Sequence, residues 1–216
     1  MQPMPTVPSA PFSRRSLLLA AGGACSLPVA MGQAATSPEL TVTEALRQRR
    51  SVRTFSDRMV DPALLAELLW AGFGINRGKE GLHTAPSWRG AADVIVHAAT
   101  ADGVVVYDPG SDAVRVWKAG DIRAQLSPQP FVATAPVCLI LVSDLRRLEA
   151  AGPEDERRLY AMVDAAMVSE NAYLFAAARG LGTCLVGGVD RDAITQSLGL
   201  AGHEFPTFVQ PVGWPA

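Results

Sequence analysis

The stretch from Glu154 to Arg179 does most to restrict how this chain can fold. It holds neither glycine nor proline. Leu159, Val163, Ala166, Met167, Asn171, Leu174, Phe175 and Ala178 recur at helical spacing with alanines between them, and Gly180 ends the run. A helix of this length needs a broad apolar partner to cover one of its faces. Just upstream, Pro136 to Val142 is a continuous apolar run of the kind found in a strand buried on both faces. The alanine-rich faces also suit close approach by a second helix, so the stretch reads either as a core helix or as part of a dimer interface.

The rest of the chain from Thr41 alternates helices and strands, with no repeat and no low-complexity linker. A short helix runs from near Thr43 through Glu44, Leu46 and Arg49. A second has Asp61 as its N-cap and Pro62 at its first position, carries Leu64, Leu65, Leu68 and Leu69, and stops at Gly72 and Gly74. Asp93 to His97, Val104 to Tyr107 and Val114 to Trp117 form an antiparallel meander, turned at Ala101-Asp102-Gly103 and at a Pro-Gly loop. A last helix from Asp190 to Leu198 and a closing strand from Phe205 to Trp214 complete an α+β chain with a mostly antiparallel central sheet flanked by helices.

Chemistry is concentrated where the first helix ends. Arg49, Arg50 and Arg53 crowd around Ser51, with Arg47 one turn earlier. Planar guanidinium forks match phosphate oxygens in pairs, so the cluster is a candidate receptor for a phosphate monoester. A solvated basic face at a helix C-terminus has the same composition, and the helix dipole favours it. A second candidate is Gly187-Gly188, where bare backbone could bring N–H groups close to a flat ring; a helix stop at Gly180 followed by a buried strand would also explain the local glycines.

Taken in order, Arg49-Arg50-Ser51-Val52-Arg53-Thr54-Phe55 followed by Asp61-Pro62 and a leucine-rich helix resembles the opening of nitroreductase-like flavoproteins. Ala71-Gly72-Phe73-Gly74-Ile75-Asn76-Arg77 and Thr84-Ala85-Pro86-Ser87 resemble that family's substrate-side loop. The run from Gly180 to Gly188 resembles its second flavin loop, and Pro211-Val212-Gly213-Trp214-Pro215 its closing strand. The Asp102-Gly103-Val104 strand and Tyr107-Asp108 turn resemble the SagB/ThcOx-type dehydrogenase branch.

The resemblance implies a nitroreductase-like fold over about residues 42 to 216, with FMN at a homodimer interface and hydride transfer through flavin N5 to or from a small organic substrate. It implies that Arg49, Arg50, Ser51 and Arg53 hold the phosphate end, that Pro86 and Ser87 line the ring, and that Gly187 and Gly188 face N5. In such a family the cofactor performs the redox step, so the lack of an evident catalytic acid or base is expected. Two departures stand out: Gly90 occupies a place usually held by a ring-contacting asparagine, and a basic C-terminal tail is not seen after Ala216. They motivate an alternative, a non-catalytic binding module that kept fold and dimer but lost productive flavin. His83, in the substrate-side loop, is either a proton donor or an ordinary surface histidine. Trp88 either stacks near the flavin or packs at the surface.

Residues 1–35 carry Arg14-Arg15 directly before the apolar run Leu17 to Ala24, then small residues ending in Gly32-Gln33-Ala34-Ala35. This resembles a twin-arginine export signal, implying the export machinery as a partner and a periplasmic location for the domain at 36–216. The apolar run is too short for a permanent membrane span. A formal net charge of -2 leaves no electrostatic footprint for nucleic acid. Cys25, Cys138 and Cys184 follow no metal-ligand spacing, and no metal is expected.

Overall fold

The computed structural model describes residues 40–216 and the backbone of Phe12–Ser13. The rest of the proposed signal segment, with Arg14, Arg15 and Leu17 to Ala24, lies outside the described residues. In chain order the elements are β1 (Phe12–Ser13), α1 (Val42–Gln48), α2 (Pro62–Phe73), β2 (Ile75–Arg77), β3 (Leu82–His83), β4 (Val94–Ala99), β5 (Gly103–Asp108), β6 (Ala113–Ala119), α3 (Pro130–Thr134), β7 (Val137–Asp144), α4 (Glu154–Ala178), β8 (Gly182–Thr183), α5 (Arg191–Leu198) and β9 (Glu204–Gly213). The main sheet runs β1-β6-β5-β4-β7-β9-β8 with antiparallel pairing throughout, and β2 and β3 form a separate hairpin.

Local chemistry accounts for the element ends. Thr41 caps α1 two residues earlier than the sequence suggested, in a reciprocal box: Glu44 N donates to Thr41 Oγ1 while Thr41 N donates to Glu44 Oε2. Asp61 Oδ1 accepts from Ala63 N at 2.8 Å ahead of Pro62. Acidic residues 154 to 156 fill the first turn of α4, where negative charge complements the helix dipole.

All eight residues of β7 are buried. The long helix α4 covers one face of the sheet together with α2, and Val94, Val96, Ala98, Leu139 and Leu141 pack into that layer with Leu68, Leu69, Ala165 and Val168. The opposite face packs Ile140, Val142 and Val209 against Ile194 and Leu198 of α5. Between Ile95 and Ala99 on this second face sits His97, 2% exposed, edge-on to Trp117 and with neither ring nitrogen hydrogen-bonded. Burial pushes its pKa down to about 4.

Short pieces depart from the sequence reading. Part of the substrate-side loop is the β2–β3 hairpin, and α3 and the helical turns at Trp88–Gly90, Arg123–Gln125 and Leu145–Ala151 carry too few residues to show a period. Cys138 and Cys184 are free and buried. Among the described residues no helix is long and apolar enough to cross a membrane.

Candidate functional site

Arg49 leaves α1 in an extended conformation, and the chain continues as an edge segment beside β8. Val52 N donates to Thr183 O at 2.9 Å, and Val52 lies against Gly182, where an added Cβ would stand 2.7 Å from Val52 Cβ. Gly182 is therefore required by packing. The clamp fixes the cluster: Arg49, Arg50 and Val52 open with Tyr173, Thr183 and Pro215 onto a cavity of about 230 Å³. Arg50 Nη1 is turned back onto the carbonyls of Arg47 and Arg49, at 2.7 and 2.8 Å. Arg53 is exposed and outside the cavity lining. No carboxylate among the described residues pairs with Arg49, Arg50 or Arg53.

Tyr173 on α4 organises this end and was not singled out from the sequence. Its hydroxyl lies 3.2 Å from Ser51 Oγ and accepts from Leu185 N at 2.7 Å, while the Arg49 guanidinium sits 5.1 Å over its ring. One phenol thereby ties the arginine segment to the loop that leads into Gly187 and Gly188. Neither glycine has a positive φ. An added Cβ would meet the Phe208 ring at 3.7 Å at position 187, and the movable Gln129 Nε2 at 3.3 Å at position 188. The local fold does not demand glycine at either place; both are exposed, with Gly187 O accepting from Val189 N at 3.0 Å and Gly188 O from Ser127 Oγ at 2.6 Å. Gly188 also borders an open depression of about 780 Å³ with Ser127, Asp190 and Arg191.

Pro86 and Ser87 lie elsewhere. Ser87 Oγ accepts from Ala92 N at 2.9 Å, and the next residue, Trp88, donates its backbone N–H to Asp164 Oδ2 at 2.8 Å. Asp164 precedes Tyr173 by nine residues on α4, a rise of about 13 Å along the helix. A single chain thus brings Arg49, Arg50, Ser51 and the 185–188 loop together, but leaves Pro86 and Ser87 at a separate place. Gly90 has φ 73°, a left-handed conformation that asparagine also tolerates. Glycine there keeps the backbone path and removes only the side chain.

Trp88 packs 5.3 Å from Tyr160, in a cluster with Leu145, Leu148 and Ala161, which is the packing alternative. His83 stacks on Phe73 at 4.1 Å, with its Nδ1 2.8 Å from Phe73 O; half-buried, it lines a pocket of about 250 Å³ with Tyr107, Asp108 and Arg147. Among the described residues no group of His, Cys, Asp or Glu could hold a metal ion.

A pair of buried acids was also missed. Asp93 is 0% exposed and Asp164 3% exposed, and no cation pairs with either among the described residues. Ser143 Oγ donates to Asp93 Oδ2. Burial, reinforced by Asp93 alongside, pushes the Asp164 pKa up to about 7. The signal for Asp164 was present: it shares the inward stripe of α4 with Ala161, Ala165, Val168 and Ala172.

The arginine cavity and the exposed glycine loop fit the FMN implied by the resemblance: guanidinium groups without a carboxylate partner among the described residues suit a phosphate, and exposed backbone suits a flat ring. The nitroreductase family model matches residues 46–214. A crystal structure provisionally assigned as a nitroreductase, from Ralstonia eutropha JMP134, is similar with a TM-score of 0.78 and 32% identity, covering 84% of this chain and 85% of that one. A Methanocaldococcus jannaschii protein provisionally named a nitroreductase is 26% identical over 185 residues, 81% of this chain and 91% of its own length. The Bacillus subtilis FMN reductase (NADPH) is 24% identical over 189 residues, 80% of this chain and 65% of that protein. The chain belongs to the nitroreductase family of FMN-dependent oxidoreductases.

Proposed function

We propose that this protein is an exported homodimeric enzyme that passes hydride through flavin N5 to or from a small organic substrate. The observation that carries the reading is the Arg49–Tyr173–Leu185 linkage, which joins arginines without a carboxylate partner among the described residues to the loop that ends in the exposed Gly187 and Gly188. Bound FMN would supply the hydride chemistry. Arg49, Arg50 and Ser51 would hold the phosphate, with Arg53 adding long-range attraction from outside the cavity. Backbone N–H groups at Gly187 and Gly188 would face the ring where negative charge builds on reduction.

Two features support the homodimer. Leu159, Val163 and Met167 form an exposed apolar stripe at four-residue spacing on α4. Pro86 and Ser87 stand apart from the arginine cavity of their own chain, which suits a site completed by the partner subunit. The SagB/ThcOx-type branch is part of the proposal. It is supported by Gly103, where an added Cβ would stand 2.4 Å from Lys118 O, and by the turn closed from Tyr107 to Asp112.

A periplasmic location reached by twin-arginine export rests on Arg14-Arg15 and the apolar run after them. Nicotinamide donors are scarce there, so the enzyme would either feed electrons to another acceptor or draw on a different donor. The alternative, a binding module without productive flavin, is favoured by one observation: Gly90 keeps the loop path and supplies no side chain.

Anaerobic reduction of the FMN-loaded protein, followed by exposure to quinone or nitroaromatic acceptors, tests catalysis. The flavin absorbance is expected to bleach and to recover with each acceptor turnover. A bound flavin that is neither reduced nor reoxidised refutes the enzyme reading and leaves the binding module.

A further inference from the structure

The buried acids Asp93 and Asp164 lie directly behind the segment that carries Pro86 and Ser87. Their hydrogen bonds leave one position open. Asp93 Oδ2 is taken by Ser143 Oγ, and Asp164 Oδ2 by the Trp88 N–H, whereas Asp93 Oδ1 has no donor among the protein's fixed hydrogens. Two ionised carboxylates cannot stay adjacent in a dry site without a cation. Asp164 lies within hydrogen-bonding reach of Asp93, so one proton held between the two would satisfy the unpartnered Asp93 Oδ1.

The surrounding charges do not change this. On α4, Tyr160 and Arg157 lie one and two turns towards the N-terminus. Asp144, beside Ser143, is bonded to Arg146 and lies near His203, and Arg146 lies near Glu204. Arg147 donates to Ala92 O, Arg89 lies over the Trp88 ring, and Glu67 of α2 is paired with Arg179. None of these cations bonds to either acid among the described residues.

We propose that Asp93 and Asp164 share one proton and that this singly charged pair seats segment 86–90, making Asp164 a positioning residue for the loop whose Pro86 and Ser87 are read as lining the flavin ring. The inference rests on the flavin reading of that loop. When the shared proton leaves to solvent, both acids are charged, repulsion separates them, and the oxygen that holds Trp88 N is displaced. The loop is therefore seated at lower pH and released at higher pH, and the raised pKa of Asp164 places the change near neutrality.

The test follows the Trp88 backbone amide by NMR from about pH 5.5 to 8.5, with hydrogen-exchange protection and FMN affinity measured on the same samples. The wild type is expected to show one titration step and to lose protection of Trp88 above it. Its FMN dissociation constant should rise by about tenfold, as the loss of one charge-assisted hydrogen bond implies. In Asp164→Asn, which keeps an acceptor for Trp88 N and cannot ionise, all three should be flat. A wild-type amide that does not titrate, or the same step in Asp164→Asn, overturns the shared proton. A step with unchanged protection overturns the positioning role. Wild-type protein that binds no FMN at any pH refutes the flavin reading instead, and the amide step and its protection still decide the role of the pair.

Discussion

His97 makes the stability of this fold depend on pH, and replacing it with leucine should remove that dependence. The imidazole is 2% exposed on the α5 side of the sheet, makes no hydrogen bond and is held neutral, with its pKa lowered from 6.5 to about 4. The folded state therefore resists a proton that the unfolded chain accepts. Its neutral form is compatible with full stability above pH 6.5, and stability is lost as pH falls towards 4. At about 1.36 kcal/mol per pKa unit the whole interval is worth about 3 kcal/mol, and linkage places about 2 kcal/mol of it between pH 7 and pH 5. With a urea slope of about 2 kcal/mol/M, the wild-type midpoint should fall by about 1 M more than that of His97→Leu over this range. Asp164 acts in the opposite sense, since a carboxyl with a raised pKa stabilises the fold at low pH and loses that contribution as pH rises through about 7. It is present in both proteins, so the difference between them isolates His97. Equal pH responses in the two would refute the reasoning.

Arg49→Ala should weaken FMN binding by about tenfold to a hundredfold, the range for losing a hydrogen bond to a charged group, and Arg53→Ala should weaken it less because Arg53 lies outside the cavity; fluorescence titration of the apoprotein ranks them. Gly182→Ala should destabilise the fold by about 1–3 kcal/mol through collision with Val52, whereas Gly188→Ala should leave the unfolding free energy from urea titration within about 0.5 kcal/mol and lower flavin affinity. Val163→Glu places a charge in the apolar stripe of α4 and should shift the protein to monomers in sedimentation analysis, with loss of bound flavin if the partner completes the site.

Features written in contiguous residues were legible before the structure. Asp61-Pro62 and the leucines behind it defined α2, the uninterrupted run at 137–142 defined β7, and Arg49 and Arg50 of the basic cluster line the cavity that the structure opens beside Tyr173, while Arg53 lies outside it. What escaped depends on contacts between distant parts of the chain. Tyr173 meets Ser51 across 122 positions, and Asp164 meets Trp88 across 76. Within its own helix Tyr173 is one more residue in an alanine-rich run, and its importance comes from the hydroxyl at the end of the ring. Asp164 reads as a surface charge until it is placed among Ala161, Ala165 and Val168 on the inward stripe. Gly182, Gly187 and Gly188 look alike in the sequence, and only the structure shows that packing requires Gly182.

The most direct measurement is the visible absorption spectrum of the purified protein, with any chromophore released by heat and identified. A yellow protein that yields FMN at about one per subunit is the result expected here. A colourless protein that is folded and cannot be reconstituted with FMN would contradict the account and leave a binding module built on a flavoenzyme fold.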